Sequence, residues 1–188
     1  MNIKKYFIAI CGFFMLATVT PDLAQAQWSI GASYEIRSED PKNGFGARIE
    51  RKILTGLPLV QLGLRGHFSY FSEENNISEG GVSYSADVTN YDFGLAATGG
   101  VNLGLLTPYV GLGLGSTTFD VSTQDFPSGD FDTSDSAVFW NTFVGAELGV
   151  TPILKPFVEY RFQQSDEPEF ATEFDANGRL IFGISLAF

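Results

Sequence analysis

Apolar and polar residues alternate along most of the chain after residue 26, and this period of two is typical of β-strands. In residues 28–37, Ile30 and Tyr34 fall on one face of an extended strand, whereas Ser33 and Glu35 fall on the other. The same alternation predicts eight strands, at residues 28–37, 45–53, 59–71, 91–103, 109–118, 138–150, 157–163 and 179–188.

Three prolines indicate how these strands are connected. Pro58, Pro108 and Pro156 lie roughly fifty residues apart, and each is followed two residues later by a valine. Because proline lacks the N–H that a ladder bond needs, it is tolerated at the first residue of a strand. We therefore predict that each proline follows a tight turn and opens a strand.

Short and long connections alternate between the predicted strands. Tight turns are expected at 54–56, 104–107 and 151–155, and long polar loops at 72–81, 119–136 and 164–178. Tyr84, Ala86 and Val88 have the opposite phase to the strand at 91–103. This change of phase predicts either a bulge near Asn90 or a hairpin extension outside the membrane.

Residues 1–26 have the features of a secretory signal peptide. Lys4 and Lys5 precede an apolar run at 6–19, and Ala24 and Ala26 form a small-x-small cleavage pattern. We therefore expect a mature chain of residues 27–188 that forms one domain. The single cysteine, Cys11, lies in the apolar run, which leaves the mature chain without a thiol for a disulfide or a zinc site.

The charge balance excludes one class of partner. Removal of residues 1–26 takes Lys4, Lys5 and Asp22 from 11 basic and 22 acidic residues, which leaves a net charge of −12. Nucleic acid is therefore not an expected partner, because it requires a basic face. After residue 26 no run of about 18 apolar residues occurs, so a membrane-spanning form of this chain would have to be a closed barrel.

Residues 179–188 form an amphipathic strand that ends on Phe188, and a segment of about 10 residues is long enough to cross a bilayer when tilted. Its end resembles the assembly signal of bacterial outer-membrane β-barrels, in which a glycine precedes alternating apolar residues and a terminal phenylalanine. The matching residues are Gly183, Ile184, Leu186 and Phe188. With its alternation and its asymmetric connections, the mature chain resembles the small eight-stranded outer-membrane barrels of the OmpA and OmpX type.

This resemblance implies an all-β, eight-stranded, antiparallel up-and-down transmembrane β-barrel in the bacterial outer membrane, with both termini in the periplasm. The implied partners are outer-membrane lipid, lipopolysaccharide and the barrel-assembly machinery. It supplies no catalytic residue, cofactor or metal. We expect Trp28 and Phe188 at the inner rim, and we expect further aromatic residues near the outer rim: Tyr34, Phe45, Tyr70, Tyr91, Trp140 and Phe162.

The polar face of the strands is predicted to line a narrow lumen. It collects many glycines and charges of both signs, which an eight-stranded lumen can enclose only as a paired network. The predicted lumen network, which would plug the pore, consists of Arg48, Glu50, Arg65, His67, Glu147, Glu159 and Arg161. The alternative is a soluble barrel of the lipocalin kind, in which the apolar face would turn inward.

Two motifs have candidate chemistry. His67 and Ser69 share a face, and a histidine is the usual base for a serine nucleophile, as in lipid A deacylases on small barrels. Their inward phase favours a structural histidine in a polar lumen. The acidic stretch with Asp130, Asp132 and Asp135 matches no complete calcium loop, and it is interpreted as a weak candidate cation site on an acidic rim.

The sequence therefore favours a non-enzymatic barrel with a structural or surface-interaction role, in which long acidic loops meet a surface ligand of unknown identity. A narrow channel for a small or apolar solute is the second hypothesis. A lipid A hydrolase is the third.

Overall fold

The computed structural model describes residues 27–38, 40–54, 59–79, 82–124, 131–165 and 177–188. No helix in these ranges is long and apolar enough to cross a membrane. The predicted signal peptide at 1–26 lies outside them and stays a prediction. Eight strands are present: β1 Trp28–Arg37, β2 Asn43–Leu54, β3 Val60–Glu79, β4 Val82–Val101, β5 Leu106–Gln124, β6 Phe131–Leu148, β7 Leu154–Ser165 and β8 Asn177–Ala187.

The strands form a closed barrel in which each strand pairs with its sequence neighbours and β8 pairs with β1. All pairs are antiparallel, as predicted for an up-and-down barrel. The seam between β1 and β8 runs from Ser29–Ala187 to Arg37–Arg179. Trp28 N–H donates to the Phe188 carbonyl at 3.1 Å, and Phe188 N–H donates to the Trp28 carbonyl at 2.8 Å. The closing strand predicted from 179–188 therefore completes the sheet.

The two ends of the barrel differ. At one end, which we call the turn end, the connections at 102–105 and 149–153 are short. At the other, the hairpin end, β3 to β6 continue past their neighbours. β2 pairs with β3 only as far as Gly44–Phe71, whereas β3 and β4 remain paired to Glu79–Val82. We call residues 72–79, 82–89, 120–124 and 131–138 the projecting sheet.

The projecting sheet corrects part of the sequence prediction. Most of the long loops expected at 72–81 and 119–136 is strand, because the β3–β4 and β5–β6 ladders continue through these polar residues. The bulge near Asn90 is also wrong, since the β3–β4 register runs without a shift, and the alternative of a hairpin extension is confirmed. The backbone hydrogen bonds of an antiparallel hairpin do not require apolar side chains. Composition alone therefore predicted strands that are shorter than the observed ones.

The prolines occupy a slightly different place from the one predicted. β5 and β7 begin two residues before Pro108 and Pro156, so neither proline is the first residue of its strand. The second ladder of each strand begins only after the proline, at Tyr109 and Phe157. Each proline therefore pairs on one side only, where a missing N–H is tolerated. Pro58 lies outside the described residues.

The barrel is apolar outside and polar inside, which excludes the soluble alternative with an apolar interior. Leu112 is 63% exposed and Phe182 45%, whereas the lumen-facing Arg65 is 2% exposed. A water-soluble barrel would not present such a belt of leucine, valine and phenylalanine to solvent. The lipid-facing side chains are thus the larger apolar ones, as the alternation predicts.

An aromatic row marks one edge of this apolar belt. Tyr34, Phe45, Tyr70 and Tyr91 are successive cross-strand partners on the outer face. The next outward row toward the hairpin end contains only polar residues: Ser72, Thr89, Asp120 and Ser134. On β3 the outward apolar positions run from Val60 to Tyr70, which on a tilted strand is about 25 Å and matches the hydrocarbon layer of an outer membrane.

Glycines and rings alternate across the lumen wall. In six ladder pairs a glycine lies directly opposite an aromatic or imidazole ring, and a Cβ on the glycine would meet that ring: Gly44–Phe71, Gly94–His67, Gly111–Phe143, Gly115–Phe139, Gly145–Tyr109 and Gly183–Phe157. The rings thus fill the narrow interior, because each ring packs over a glycine of the next strand, where no side chain occupies the space.

This packing gives a prediction for a matched pair of glycines. Gly111→Ala should lower the unfolding free energy by about 1–3 kcal/mol, because the new methyl group displaces the Phe143 ring in a filled lumen. Gly66→Ala, on the open outer face, should be neutral or stabilising because it shortens no contact below 3.4 Å. Urea unfolding of both variants in lipid vesicles tests the difference, and equal losses would contradict this account of the lumen.

Candidate functional site

Six of the predicted lumen residues form one ion-pair group, which we call the turn-side cluster: Arg48, Glu50, Arg65, Glu147, Glu159 and Arg161. Glu159 lies at its centre. Its carboxylate is 2.6 Å from Arg65 Nη1 and 2.6 Å from Arg161 Nη2. The same carboxylate accepts a hydrogen bond from the Tyr109 hydroxyl at 2.9 Å. One buried carboxylate therefore holds two guanidinium groups, with a third, that of Arg48, at 3.8 Å.

The other two carboxylates of the cluster lie nearer the turn end. Glu147 Oε1 is 2.5 Å from Arg48 Nη2, and Glu50 Oε2 is 2.7 Å from Arg65 Nη2. Arg48 also donates to Ser185 Oγ at 2.8 Å. The cluster contains three arginines and three glutamates, so its charges balance, as burial of so many ions requires.

Aromatic rings enclose these guanidinium groups. The Arg48 guanidinium carbon is 3.4 Å from the centre of the Phe157 ring. The Phe143 ring lies 4.8 Å from the Arg65 guanidinium and 5.4 Å from that of Arg161. Such stacking stabilises cations away from water, because the negative face of a ring attracts the positive charge. The same rings cover the lumen glycines, so the packing and the charge network depend on each other.

A second ion-pair group, which sequence reasoning missed, lies toward the hairpin end. This hairpin-side cluster consists of Glu35, Arg37, Asp92 and Arg179. Arg37 Nη2 is 3.0 Å from Asp92 Oδ2, and Arg179 pairs with the same carboxylate oxygen. All four residues alternate in phase with the lumen-facing residues. This phase is the sequence signal that could have identified them.

His67 and Ser69 lie between the two clusters, and their side chains contact different partners. Ser69 donates to Glu35 Oε1 at 3.0 Å, and Asn141 Nδ2 is 3.3 Å from His67 Nε2. His67 is 3% exposed and Ser69 0%. The serine hydroxyl therefore serves a carboxylate acceptor rather than a histidine base, and neither side chain faces the lipid.

The turn end opens into the lumen. A cavity of about 360 Å³ is lined there by Gln61, Asn102, Thr107, Glu147 and Lys155, among others. A further space of about 20 Å³ reaches Glu50, Arg65 and Tyr109. Solvent from this side thus comes as far as the turn-side cluster, of which Glu50, Arg65 and Glu147 line these spaces.

The other residues singled out in the sequence are those of the candidate cation site and of the predicted assembly signal. Asp130 lies outside the described residues, and Asp132 and Asp135 are in β6 rather than in a loop. Asp135 Oδ1 accepts the Ser136 N–H at 2.8 Å. Within the described ranges, no group of three or more His, Cys, Asp or Glu side chains is placed to hold a metal ion. In the predicted assembly signal, Ile184, Leu186 and Phe188 point outward and are exposed, and Gly183 lies beside the Phe157 ring.

The charges of residues 27–188 separate by region. Five arginines and five acidic residues belong to the two lumen clusters. Three basic residues that belong to neither lumen cluster lie at the turn end: Arg51, Lys52 and Lys155. No described acidic residue outside the two clusters lies at this end. Of 22 Asp and Glu residues, Asp22 and the five in the lumen leave 16, and eight of these lie outside the described residues. The other eight are at the hairpin end, where Lys42 is the single described basic residue outside the lumen: Asp40, Glu73, Glu74, Glu79, Asp87, Asp120, Asp132 and Asp135.

Structures of several bacterial outer-membrane proteins resemble this fold. Neisserial surface protein A (NspA) aligns with a TM-score of 0.56 and 17% identity, over 86% of this chain and 96% of its own. Ail of Yersinia pestis, in complex with the heparin analogue sucrose octasulfate, gives the same four values. A major outer membrane protein of Thermus thermophilus aligns with a TM-score of 0.68 and 13% identity, over 86% of this chain and 98% of its own.

At these identities the structural likeness shows the fold alone. No curated protein matches the sequence. Residues 8–188 match the family described as the outer membrane protein beta-barrel domain, and this match spans nearly the whole chain. The lipid-facing belt, the closed sheet of eight strands and the charged lumen agree with it. The chain therefore belongs to the outer membrane protein β-barrel family.

Proposed function

We propose that this barrel is a surface-interaction protein whose hairpin end faces the cell exterior and whose lumen is plugged by ion pairs. The observation that carries the proposal is the charge separation, with eight acidic residues and one lysine at the hairpin end outside the lumen, among the residues that the structure describes. Both termini would then lie in the periplasm, at the turn end. The role is non-enzymatic, in line with the separate hydrogen-bond partners of His67 and Ser69.

The projecting sheet supplies the geometry for such an interaction. Among the described strands, residues 72–79 of β3 pair only with β4, and residues 131–138 of β6 pair only with β5. Each edge therefore presents backbone N–H and C=O groups that can bind an extended segment of a partner. Strand addition at an edge fixes direction and register, and the acidic surroundings select for positive charge.

The expected partner is cationic. A dense negative field attracts basic protein segments and repels polyanions, over a range set by the salt concentration. The heparin analogue in the structure of Ail, sucrose octasulfate, is negatively charged. The partner expected for the present barrel has the opposite charge. The two barrels would thus share a scaffold and differ in what their exposed ends bind, as is usual for one fold with several functions.

A binding experiment with defined probes tests the proposal. In nanodiscs of neutral phosphatidylcholine, the barrel should bind polylysine, lose most of that binding in high salt, and fail to bind heparin. A triple variant, Glu73→Gln, Asp87→Asn and Asp120→Asn, removes charge from the hairpin end and should weaken the binding several-fold. A matched control, Arg51→Gln with Lys52→Gln, changes the turn end and should not weaken it. Heparin binding, or equal effects of both variants, would contradict the proposal.

A narrow channel is the second candidate. It is favoured by the cavity of about 360 Å³ that opens at the turn end and reaches Glu147 of the turn-side cluster. For a channel to form, the contacts of Glu159 with Arg65 and Arg161 would have to break. The surface role requires no such rearrangement of buried charges, and it is the better supported of the two.

A further inference from the structure

Two lysines meet at the mouth of the lumen at the turn end. Lys52 of β2 has the same inward phase as Arg48, and Lys155 of β7 has the same inward phase as Glu159. β1 and β8 lie between these strands, yet the two ammonium groups are within hydrogen-bonding reach of each other. Both side chains are half-buried. An ammonium group only donates, so the contact places two like charges side by side and satisfies neither.

The charges around this pair leave it uncompensated. Among the described residues, neither lysine forms an ion pair with an acidic group. The carboxylates that act on Lys52 are those of Glu147 and Glu50. Each of them already pairs with an arginine of the turn-side cluster, at 2.5 Å and 2.7 Å respectively. The connection at 55–58 contains no charged residue. The mouth therefore has two surplus positive charges.

The cavity of about 360 Å³ adjoins this pair, because Lys155 is part of its wall. Its volume is within the range of small-molecule sites, which is about 300–1,000 Å³. Two further wall residues present donors. Asn102 Oδ1 accepts the Gly104 N–H at 2.9 Å, which leaves the Asn102 NH₂ group to donate. Thr151 Oγ1 accepts the Leu154 N–H at 2.8 Å, which leaves its hydroxyl hydrogen to donate.

The surplus charge and the donors define the ligand as an anion with two charges on one group. A phosphate monoester has a charge of about −1.5 to −2 at neutral pH and three acceptor oxygens, so one such group can contact both ammonium groups. A carboxylate has a single charge and would neutralise only one lysine. Glu147 is the one carboxylate among the described wall residues, and its ion pair with Arg48 offsets its repulsion of an anion.

We propose that the mouth of the lumen at the turn end is a binding site for a small phosphate compound, with the phosphate group between Lys52 and Lys155 and the remainder in the adjoining cavity. The ligand is water-soluble, because lipid headgroups outside the barrel do not reach side chains of the lumen phase. The acidic hairpin end lies across an apolar belt of about 25 Å, and salt screens exposed charges beyond about 8 Å. The inference goes beyond the surface role, since it concerns the opposite end of the barrel.

The lysines provide a direct test in the unmodified barrel, because residues 27–188 contain only three of them. With lysine ¹³C-labelled at Cε, the barrel in nanodiscs of neutral phosphatidylcholine should give three NMR signals. Inorganic phosphate and glucose 6-phosphate should each shift the Lys52 and Lys155 signals to saturation. The signal of Lys42, which pairs with Asp40 at the hairpin end, should not move. Tighter binding of glucose 6-phosphate assigns the site to phosphate esters, and equal binding assigns it to phosphate itself.

A matched pair of variants separates the lumen mouth from the outer face at the same end. Lys155→Gln should weaken phosphate binding about tenfold or more, because it removes one of the two charged contacts. Arg51→Gln removes the same charge from the outer face, where the Arg51 guanidinium lies 5.3 Å from the centre of the Trp28 ring, and it should leave the affinity unchanged.

The titration of the unmodified barrel decides the question even if a variant fails to fold. The absence of saturable shifts at Lys52 and Lys155 would overturn the proposal. So would an equal shift of Lys42, or the same shifts with sodium chloride at equal ionic strength, because either would show ordinary screening. Equal losses of affinity in Lys155→Gln and Arg51→Gln would overturn it as well.

Discussion

Replacement of Glu159 by glutamine should lower the unfolding free energy by about 3–5 kcal/mol, which is the usual effect of removing one partner from a buried ion pair. The glutamate neutralises Arg65 and Arg161 at 2.6 Å each, and it is 1% exposed. The variant leaves Arg161 enclosed without its carboxylate partner and leaves Arg65 with Glu50 alone. Guanidinium unfolding in lipid vesicles measures the loss, and a parallel bilayer recording shows whether the plug has opened.

Glu147→Gln is the matched control. Glu147 belongs to the same cluster and pairs with Arg48 at 2.5 Å, but its side chain is 12% exposed and lines the cavity at the turn end. Water can therefore replace part of the lost interaction, and the expected loss is about 1 kcal/mol. Similar losses for both variants would show that Glu159 is not the centre of the network.

The bilayer recording tests the plug itself. The wild-type barrel should show no unitary conductance if, as proposed, the ion pairs of Glu159 with Arg65 and Arg161 plug the lumen. Glu159→Gln should produce brief openings, since the freed guanidinium groups repel each other. If this variant fails to insert, Glu159→Gln combined with Arg161→Met removes one charge of each sign and should restore insertion. A steady wild-type conductance would favour the channel hypothesis.

The parts of the fold that the sequence predicted are those that depend on a period of two. β1 was placed at the observed residues because its apolar positions alternate without interruption from Trp28 to Arg37. The face toward the lipid was predicted for the same reason. Part of the projecting sheet was anticipated as a hairpin extension at 84–88, but residues 72–79 were assigned to a loop because they have no apolar alternation. Their strand character comes from a ladder with β4 that only the folded chain provides.

The candidate site, like the fold, was predictable from the sequence only in part. Alternation assigned Arg48, Arg65 and Glu159 to the lumen, but it carried no information on which charge meets which. Pairing depends on the tilt and stagger of the strands, which bring Arg179 of β8 to Asp92 of β4 across the lumen. The same stagger brings the four residues of the hairpin-side cluster together as a buried group, although three of them lie near strand ends and Asp92 lies in the middle of β4. Composition cannot supply that vertical offset.

The position of the membrane follows from the phase change at the aromatic row, and β3 offers a matched pair of sites to test it. Leu64 and Ser72 point outward on the same strand, one within the apolar belt and one just beyond Tyr70. Leu64→Arg should lower the unfolding free energy by about 2–4 kcal/mol, because it places a cation near the middle of the hydrocarbon layer. Ser72→Arg should change it by less than about 0.5 kcal/mol, because that side chain lies in water.

Unfolding in vesicles measures both values under the same conditions. The difference between the two variants locates the belt without reference to any ligand or loop. If Ser72→Arg costs as much as Leu64→Arg, the hydrocarbon layer extends into the projecting sheet, and the eight acidic residues described at the hairpin end could not all be solvated. If neither costs anything, the outer face of the barrel is not covered by lipid, and the surface proposed to bind a cationic partner has no membrane from which to project.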